Sequence, residues 1–579
     1  MFFNIASLIL IYSFFLTIIF SAGKIGNKYI FQFKNLGFGE FGILGFIIIY
    51  FVILVVHFFY SINDYFIYST YLILISYFVI NLKNFLNEFK ISKYKLGIIF
   101  LFFLILSITN NHHDDLYIFQ LPIINYMQNF KIVFGLINLN DFIGQGHSFY
   151  EIMSFFKVPI YENRAYFLLP IIFLNFFVIY LFEKLKEEKN YLIKYFIYFI
   201  IILLIIRFSR SKEYGTDLPI LCLLFYIQLN FLSFLNTKNY HFFLKSILAS
   251  IFCIILKLYG ITSLFYLLAF IPILKKDIFK IFEKKRILIF LASILFLTLV
   301  KNFIVSGCLF YPISKTCFDK ENISWAVGKE VAQQRNEFYN AQVKGWRAYT
   351  KNINEGEFIS ATDYLRSNTV ERIKGLLSDK DLEKILVGLI LPMLFIILSI
   401  FFKEKIKINK INISSNILII LLLFAPLLIW LILFPQSRYG YFSYISFIIF
   451  YISFHYLKVG KFNNRIVVTT FSILLIFLVT KNISRIKNEI SSNIYDHDNY
   501  PIKKFISDDY TVNYIDNIKF NVPLNSFMEC SNIPMLCASN INMINAVQIK
   551  KNYYFLESNS VAMKDHINSS AIYDMIETN

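Results

Sequence analysis

Charge is scarce in this 579-residue chain: Asp, Glu, Lys and Arg together make up only 16% of it. A soluble protein of that length needs more polar cover. Here hydrophobic residues reach 57% and mean hydropathy is +0.58, the composition of a multispanning membrane protein. No P-loop, no HExxH and no paired CxxC motif occurs, which argues against nucleotide-sugar chemistry of the soluble type. The apolar N-terminus lacks a basic leader and a small-residue cleavage site, so residues 1–20 are expected to stay as a span. Neither an internal repeat nor a low-complexity linker is visible, and few charges fall in mid-span. Both absences count against a transporter built from inverted repeats.

Fourteen apolar runs are long enough to cross: 1–20, 42–60, 62–82, 94–109, 166–182, 192–206, 218–235, 242–258, 260–274, 287–304, 385–402, 417–434, 441–457 and 466–480. The break around Lys257, Tyr259 and Gly260 is the least secure division between them. The expected fold is an all-α polytopic bundle with amphipathic helices on its outer face and a small C-terminal extramembrane α+β domain. Its expected divisions are N-terminal spans in 1–93, a core in 94–484 with outer loops 110–165 and 305–384, and the tail domain in 485–579. The net charge of +18 sits mostly in short loops, so topology explains it and no nucleic-acid partner is implied. One alternate set of loops carries 26 Lys and Arg, and the opposite short loops carry 7. The positive-inside rule then places the rich set in the bacterial cytoplasm, with 110–165, 305–384, the tail and both termini outside. Cysteine placement agrees with this. Cys308 with Cys317, and Cys530 with Cys537, form two close pairs on the expected outer side, where disulfides persist. Cys222 and Cys253 lie within spans and read as packing residues.

The candidate chemistry collects on that outer side. After the run ending at 109 comes His112-His113-Asp114-Asp115, followed by short segments broken at Gly144 and Gly146 that read as helices lying on the membrane surface. A carboxylate there can take a proton from an acceptor hydroxyl; Asp115 is the preferred base and Asp114 its neighbour. The stretch 207–217, RFSRSKEYGTD, brings Arg207, Arg210 and Asp217 to one short turn; Lys257 sits near a helix end, and Arg438 follows Pro435 in another turn. Guanidinium and ammonium groups hold phosphate oxygens and stabilise a leaving phosphate. His147 is a further candidate substrate contact. A divalent metal (Mg or Mn) on the Asp pair is an open option, although adjacent histidines point apart on a helix or strand.

An acidic pair leading into surface helices resembles the first outer loop of GT-C-type glycosyltransferases. HDDLYIFQLP, KIVFGLINLN, GQGHSFYEI, YGTDLP, SGCLFYPISKTCF, PQSRYGY and MECSNIPMLC together resemble a family of bacterial polytopic membrane proteins linked to surface-polysaccharide synthesis. Members tend to carry His where this chain has Gln120, and Ser-Ser where it has His147-Ser148. The resemblance implies a GT-C-like glycosyltransferase. It would take a sugar from a polyprenyl-phosphate donor to a glycan or lipid acceptor on the outer face of the cytoplasmic membrane. The alternatives are a polysaccharide polymerase or ligase and, ranked last, a transporter of lipid-linked saccharide.

Overall fold

A computed structural model describes residues 2–87, 97, 99–100, 102–103, 106–107, 120–145, 148–158, 165–207, 215–274, 279–346, 349–350, 359–368, 370–371, 373–374, 381–401, 403–404, 417–436, 438–456, 461–462, 464–491, 509–524, 530, 533–538, 540–550, 552–565 and 567. The fold is mostly helical. In chain order the helices are α1 (Phe2–Gly26), α2 (Phe38–His57), α3 (Asp64–Ile80), α4 (Leu82–Asn87), α5 (Leu121–Asn129), α6 (Ser148–Ser154), α7 (Leu168–Glu187), α8 (Tyr191–Arg207), α9 (Asp217–Thr237) and α10 (His241–Leu256). There follow α11 (Ser263–Leu274), α12 (Phe279–Phe282), α13 (Lys285–Ser306), α14 (Lys329–Val343), α15 (Ala361–Arg366), α16 (Asp381–Phe401), α17 (Ile417–Leu433), α18 (Tyr441–Tyr456) and α19 (Asn464–Ser491).

Among the described residues five helices are long and apolar enough to cross a membrane: Ile5–Phe31, Phe38–His57, Leu168–Glu187, Asp217–Thr237 and Lys285–Ser306. Seven apolar helices of 10–17 residues accompany them, among them α3, α8, α10, α17 and the stretch Leu258–Leu274. This is a membrane protein, though the described residues do not establish fourteen crossings. Much of the 94–109 run lies outside them.

Close approach organises the first helices. A Cβ on Gly23 of α1 would meet the Phe41 carbonyl oxygen at 1.9 Å, and one on Gly45 of α2 would meet that of Ile19 at 1.9 Å. Only hydrogen fits on either side of this crossing. The opposite face of α2 uses Gly39 and Gly42 against Tyr180 and Phe176 of α7. The run expected at 42–60 begins earlier, at Phe38, and its glycines form a packing face.

The expected amphipathic helices are placed differently. Every residue from Leu121 to Gln128 in α5 and from Ser148 to Ser154 in α6 is buried. Both helices are enclosed by protein and do not lie on lipid. Above them three distant segments interleave. Phe134 donates to the Tyr554 carbonyl at 2.9 Å, Leu556 donates back to Phe134 at 2.9 Å, and Gly135 (φ +71°) donates to Ile304 at 2.9 Å. The tail supplies two antiparallel hairpins, Tyr510–Ile515 with Ile518–Pro523 and Ile544–Lys550 with Tyr553–Ser558. Cys308–Cys317 and Cys530–Cys537 are disulfides, with Cα atoms 3.9 and 5.8 Å apart. Cys222 and Cys253 are buried free thiols.

Charge fixes the 305–384 loop to this layer. Arg335 of α14 pairs with Asp141, and both side chains are fully buried. The guanidinium also lies 4.7 Å from the Phe142 ring centroid and 5.1 Å from that of Phe338.

Candidate functional site

Three helix ends on the face that carries the 305–384 loop bring Asp217, Lys257 and Arg438 together. Asp217 is the first residue of α9, where a carboxylate complements the helix dipole. Helix α10 stops at Leu256, Lys257 is extended (φ −165°, ψ 142°), and the chain turns through a 3₁₀ segment, Leu258–Thr262. Gly260 permits the turn, since a Cβ there would lie 2.3 Å from the Cys253 carbonyl oxygen. The Lys257 ammonium is thereby aimed at Asp217 Oδ1, 3.0 Å away, and the Tyr259 hydroxyl approaches the same oxygen at 3.4 Å.

Arg438 arrives on the loop between α17 and α18. Its Nε donates to Gln436 Oε1 at 2.9 Å, and a terminal nitrogen donates to the Tyr439 hydroxyl at 3.0 Å. The Tyr439 ring carries both cations, with Lys257 Nζ and the Arg438 guanidinium carbon each 4.9 Å from its centroid. Tyr259 packs beside it, centroids 5.0 Å apart. The Lys257 and Asp217 side chains remain 32% and 20% exposed, so an approaching ligand can reach them. Below, Thr262 meets the Tyr444 hydroxyl at 2.6 Å, and Gln228 donates to Tyr266 at 2.8 Å. This polar seam ties α9, α11 and α18 in register.

His112, His113, Asp114, Asp115, His147 and Arg210 lie outside the described residues. Arg207 closes α8. Among the described residues no group of three or more His, Cys, Asp or Glu gathers as a metal site.

Two polar clusters escaped the sequence reading. Glu151 of α6 pairs with Lys301 of α13, both nearly buried. Beside them Tyr50 bonds to Thr298 and Ser148, each at 3.2 Å. The adjoining cavity, about 30 Å³ and lined by His57 and Tyr126 among others, has room for about one water. It is too small for a sugar.

The second cluster lies at the opposite ends of the helices, around a cavity of about 390 Å³. There Glu183 of α7 accepts from the N–H groups of Phe38 and Gly39, at 2.8 and 3.1 Å, and so caps α2. Glu40 accepts from Lys245 at 2.6 Å and from the Tyr226 hydroxyl at 3.0 Å. The spacing Gly37-x-Gly39-x-x-Gly42 has the outline of a dinucleotide fingerprint. It follows no strand, and the protein's own Glu183 occupies the place of an anion.

No curated protein and no solved structure matches this chain. The family model described as a domain of unknown function, DUF8201, matches residues 5–446, and the chain belongs to that family.

Proposed function

We propose that this membrane protein is a GT-C-like glycosyltransferase. It transfers a sugar from a polyprenyl-phosphate-linked donor to a glycan or lipid acceptor at the outer face of the bacterial cytoplasmic membrane. The observation that carries the reading is the convergence of Lys257 and Arg438 on one tyrosine ring, Tyr439, with Asp217 orienting the lysine. A phosphate bridging the two cations takes charge-assisted hydrogen bonds from both. Tyr259 and Tyr439, buried and packed on one another beneath the cations, hold them in place. As the sugar leaves, negative charge builds on that phosphate, and fixed cations stabilise it without rearrangement. In this scheme Asp115, or Asp114 in its place, takes the proton of the acceptor hydroxyl.

The test uses purified full-length protein and a polyprenyl-phosphate sugar. Asp115→Asn is expected to lower turnover on the order of 10²–10⁴-fold with donor binding nearly unchanged. Arg438→Ala and Lys257→Gln are each expected to weaken donor binding about tenfold or more, the worth of a charge-assisted hydrogen bond. Near wild-type turnover in both Asp115→Asn and Asp114→Asn overturns the mechanism. A second reading, transport of a lipid-linked saccharide, draws on the embedded pairs Glu40–Lys245 and Glu151–Lys301 at opposite ends of the bundle. Product formation by protein in micelles, where no second compartment exists, separates the two.

A further inference from the structure

The 390 Å³ cavity at the opposite ends of the helices is unequally supplied with donors and acceptors. Two of its carboxylates are engaged within the protein, Glu183 by backbone N–H groups of α2 and Glu40 by Lys245 and Tyr226. Among the described residues neither Lys34 nor Lys184 has a carboxylate at ion-pair distance, and Lys184 rests 4.7 Å from the Phe242 ring centroid. His241 Nδ1 is buried without a hydrogen-bond partner, and Asn230, only 1% exposed, turns its side chain toward the Tyr226 hydroxyl. A buried donor left unmatched is costly, so His241 calls for an acceptor, and the exposed Lys34 and half-buried Lys184 add positive charge at the same wall.

We propose that this cavity is a second binding site, for a phosphate group carried by an anionic lipid headgroup or by a soluble phosphate ester. A phosphate offers three or more acceptor oxygens and negative charge. Lys34 and Lys184 answer the charge, and His241 answers a remaining oxygen. A cation is disfavoured, because Glu183, Glu40 and the third lining carboxylate, Glu187, already have partners within the protein. The volume falls within the range of small-ligand pockets and leaves room for a small group attached to the phosphate. Phe33, Tyr180 and Phe242 wall that remaining space. The site shares no residue with the Lys257–Arg438 cluster, so its failure leaves the proposed transferase standing.

The experiment measures thermal stability of the full-length protein in uncharged maltoside micelles. Added in turn are inorganic phosphate, glycerol phosphate, short-chain phosphatidic acid and, as control, sodium chloride at matched ionic strength. Stabilisation by phosphatidic acid alone assigns the site to a lipid headgroup. Stabilisation by glycerol phosphate or inorganic phosphate as well assigns it to soluble phosphates. In both cases Lys34→Gln/Lys184→Gln is expected to raise the half-saturating concentration at least tenfold, and Lys34→Arg/Lys184→Arg is expected to restore it. A shift no larger than the chloride control, or one fully retained in the double Gln variant, overturns the proposal. If the double Gln variant is too unstable to measure, His241→Gln serves instead. It keeps a donor, so it is expected to retain binding, while His241→Leu is expected to lose it; equal affinities in those two overturn the proposal as well.

Discussion

At the scale of single residues, burial decides which ion pairs matter to stability. Asp141 and Arg335 are sealed from solvent, whereas Asp217 and Lys257 are partly open. Removing one member of a buried pair strands the other charge and costs about 3–5 kcal/mol. An accessible pair contributes about 0–1 kcal/mol. Asp141→Asn is therefore expected to lower the melting temperature of the purified protein markedly, and Asp141→Leu combined with Arg335→Met to recover most of the loss. Asp217→Asn is expected to leave melting almost unchanged while weakening donor binding. Comparable melting losses for Asp141→Asn and Asp217→Asn would remove the distinction. The sequence shows Arg335 in a polar stretch resembling a solvated helix, and Asp141 as a mere interruption of an apolar loop. Their partnership spans segments far apart in the chain, and no local pattern records it. Lys257 and Arg438 were legible for the opposite reason: each is an isolated cation beside a turn signal, Gly260 in one case and Pro435 in the other.

Among the elements, the tightest constraint is the α1–α2 crossing. Gly45→Ala drives a methyl into the Ile19 carbonyl, a backbone atom that cannot rotate away, so the helices must separate. Overpacking of this kind costs about 1–3 kcal/mol and sometimes more. The variant is expected to accumulate at reduced level and to melt lower. A Gly45→Ala protein that melts like the parent would show that the crossing is looser than described. Apolar runs locate such helices well because a long hydrophobic stretch has few other solutions in a membrane protein. Their ends are read less well. The start of α2 was missed because glycine at a close crossing and glycine at a turn look alike in one sequence. Helices α5 and α6 were legible as helices but not as buried ones. Their polar residues Asn125, Gln128 and Glu151 suited a surface in the sequence, whereas in the fold Gln128 donates to Ser154 and Tyr166 and Glu151 meets Lys301.

Over the whole molecule, contacts between loops respect an alternation that the helices themselves impose. Asp64 meets Lys157 at 2.9 Å, Tyr553 donates to the Phe58 carbonyl at 3.0 Å, and Gln436 donates to Gln342 at 3.3 Å. All of these lie in the Lys-poor set of loops or in the long segments assigned with it. In the Lys-rich set Arg286 reaches the Tyr29 carbonyl at 3.4 Å, and the two-residue strands Lys403–Glu404 and Lys461–Phe462 pair. Which set faces which compartment rests on the bias of 26 Lys and Arg against 7. It also rests on the two disulfides, which belong to the Lys-poor side and suit an oxidising exterior. A reporter active only in the cytoplasm, fused after Lys285, is expected to be active, and the same reporter within 305–384 or after Cys537 is expected to be silent. In intact cells, a membrane-impermeant thiol reagent is expected to label a cysteine introduced at the exposed Glu330 and to spare one introduced at Lys83. Activity after Cys537 together with protection at 330 would reverse the orientation. The Lys257–Arg438 cluster would then face the cytoplasm and the 390 Å³ cavity the exterior, and the outer-face transferase mechanism would fall.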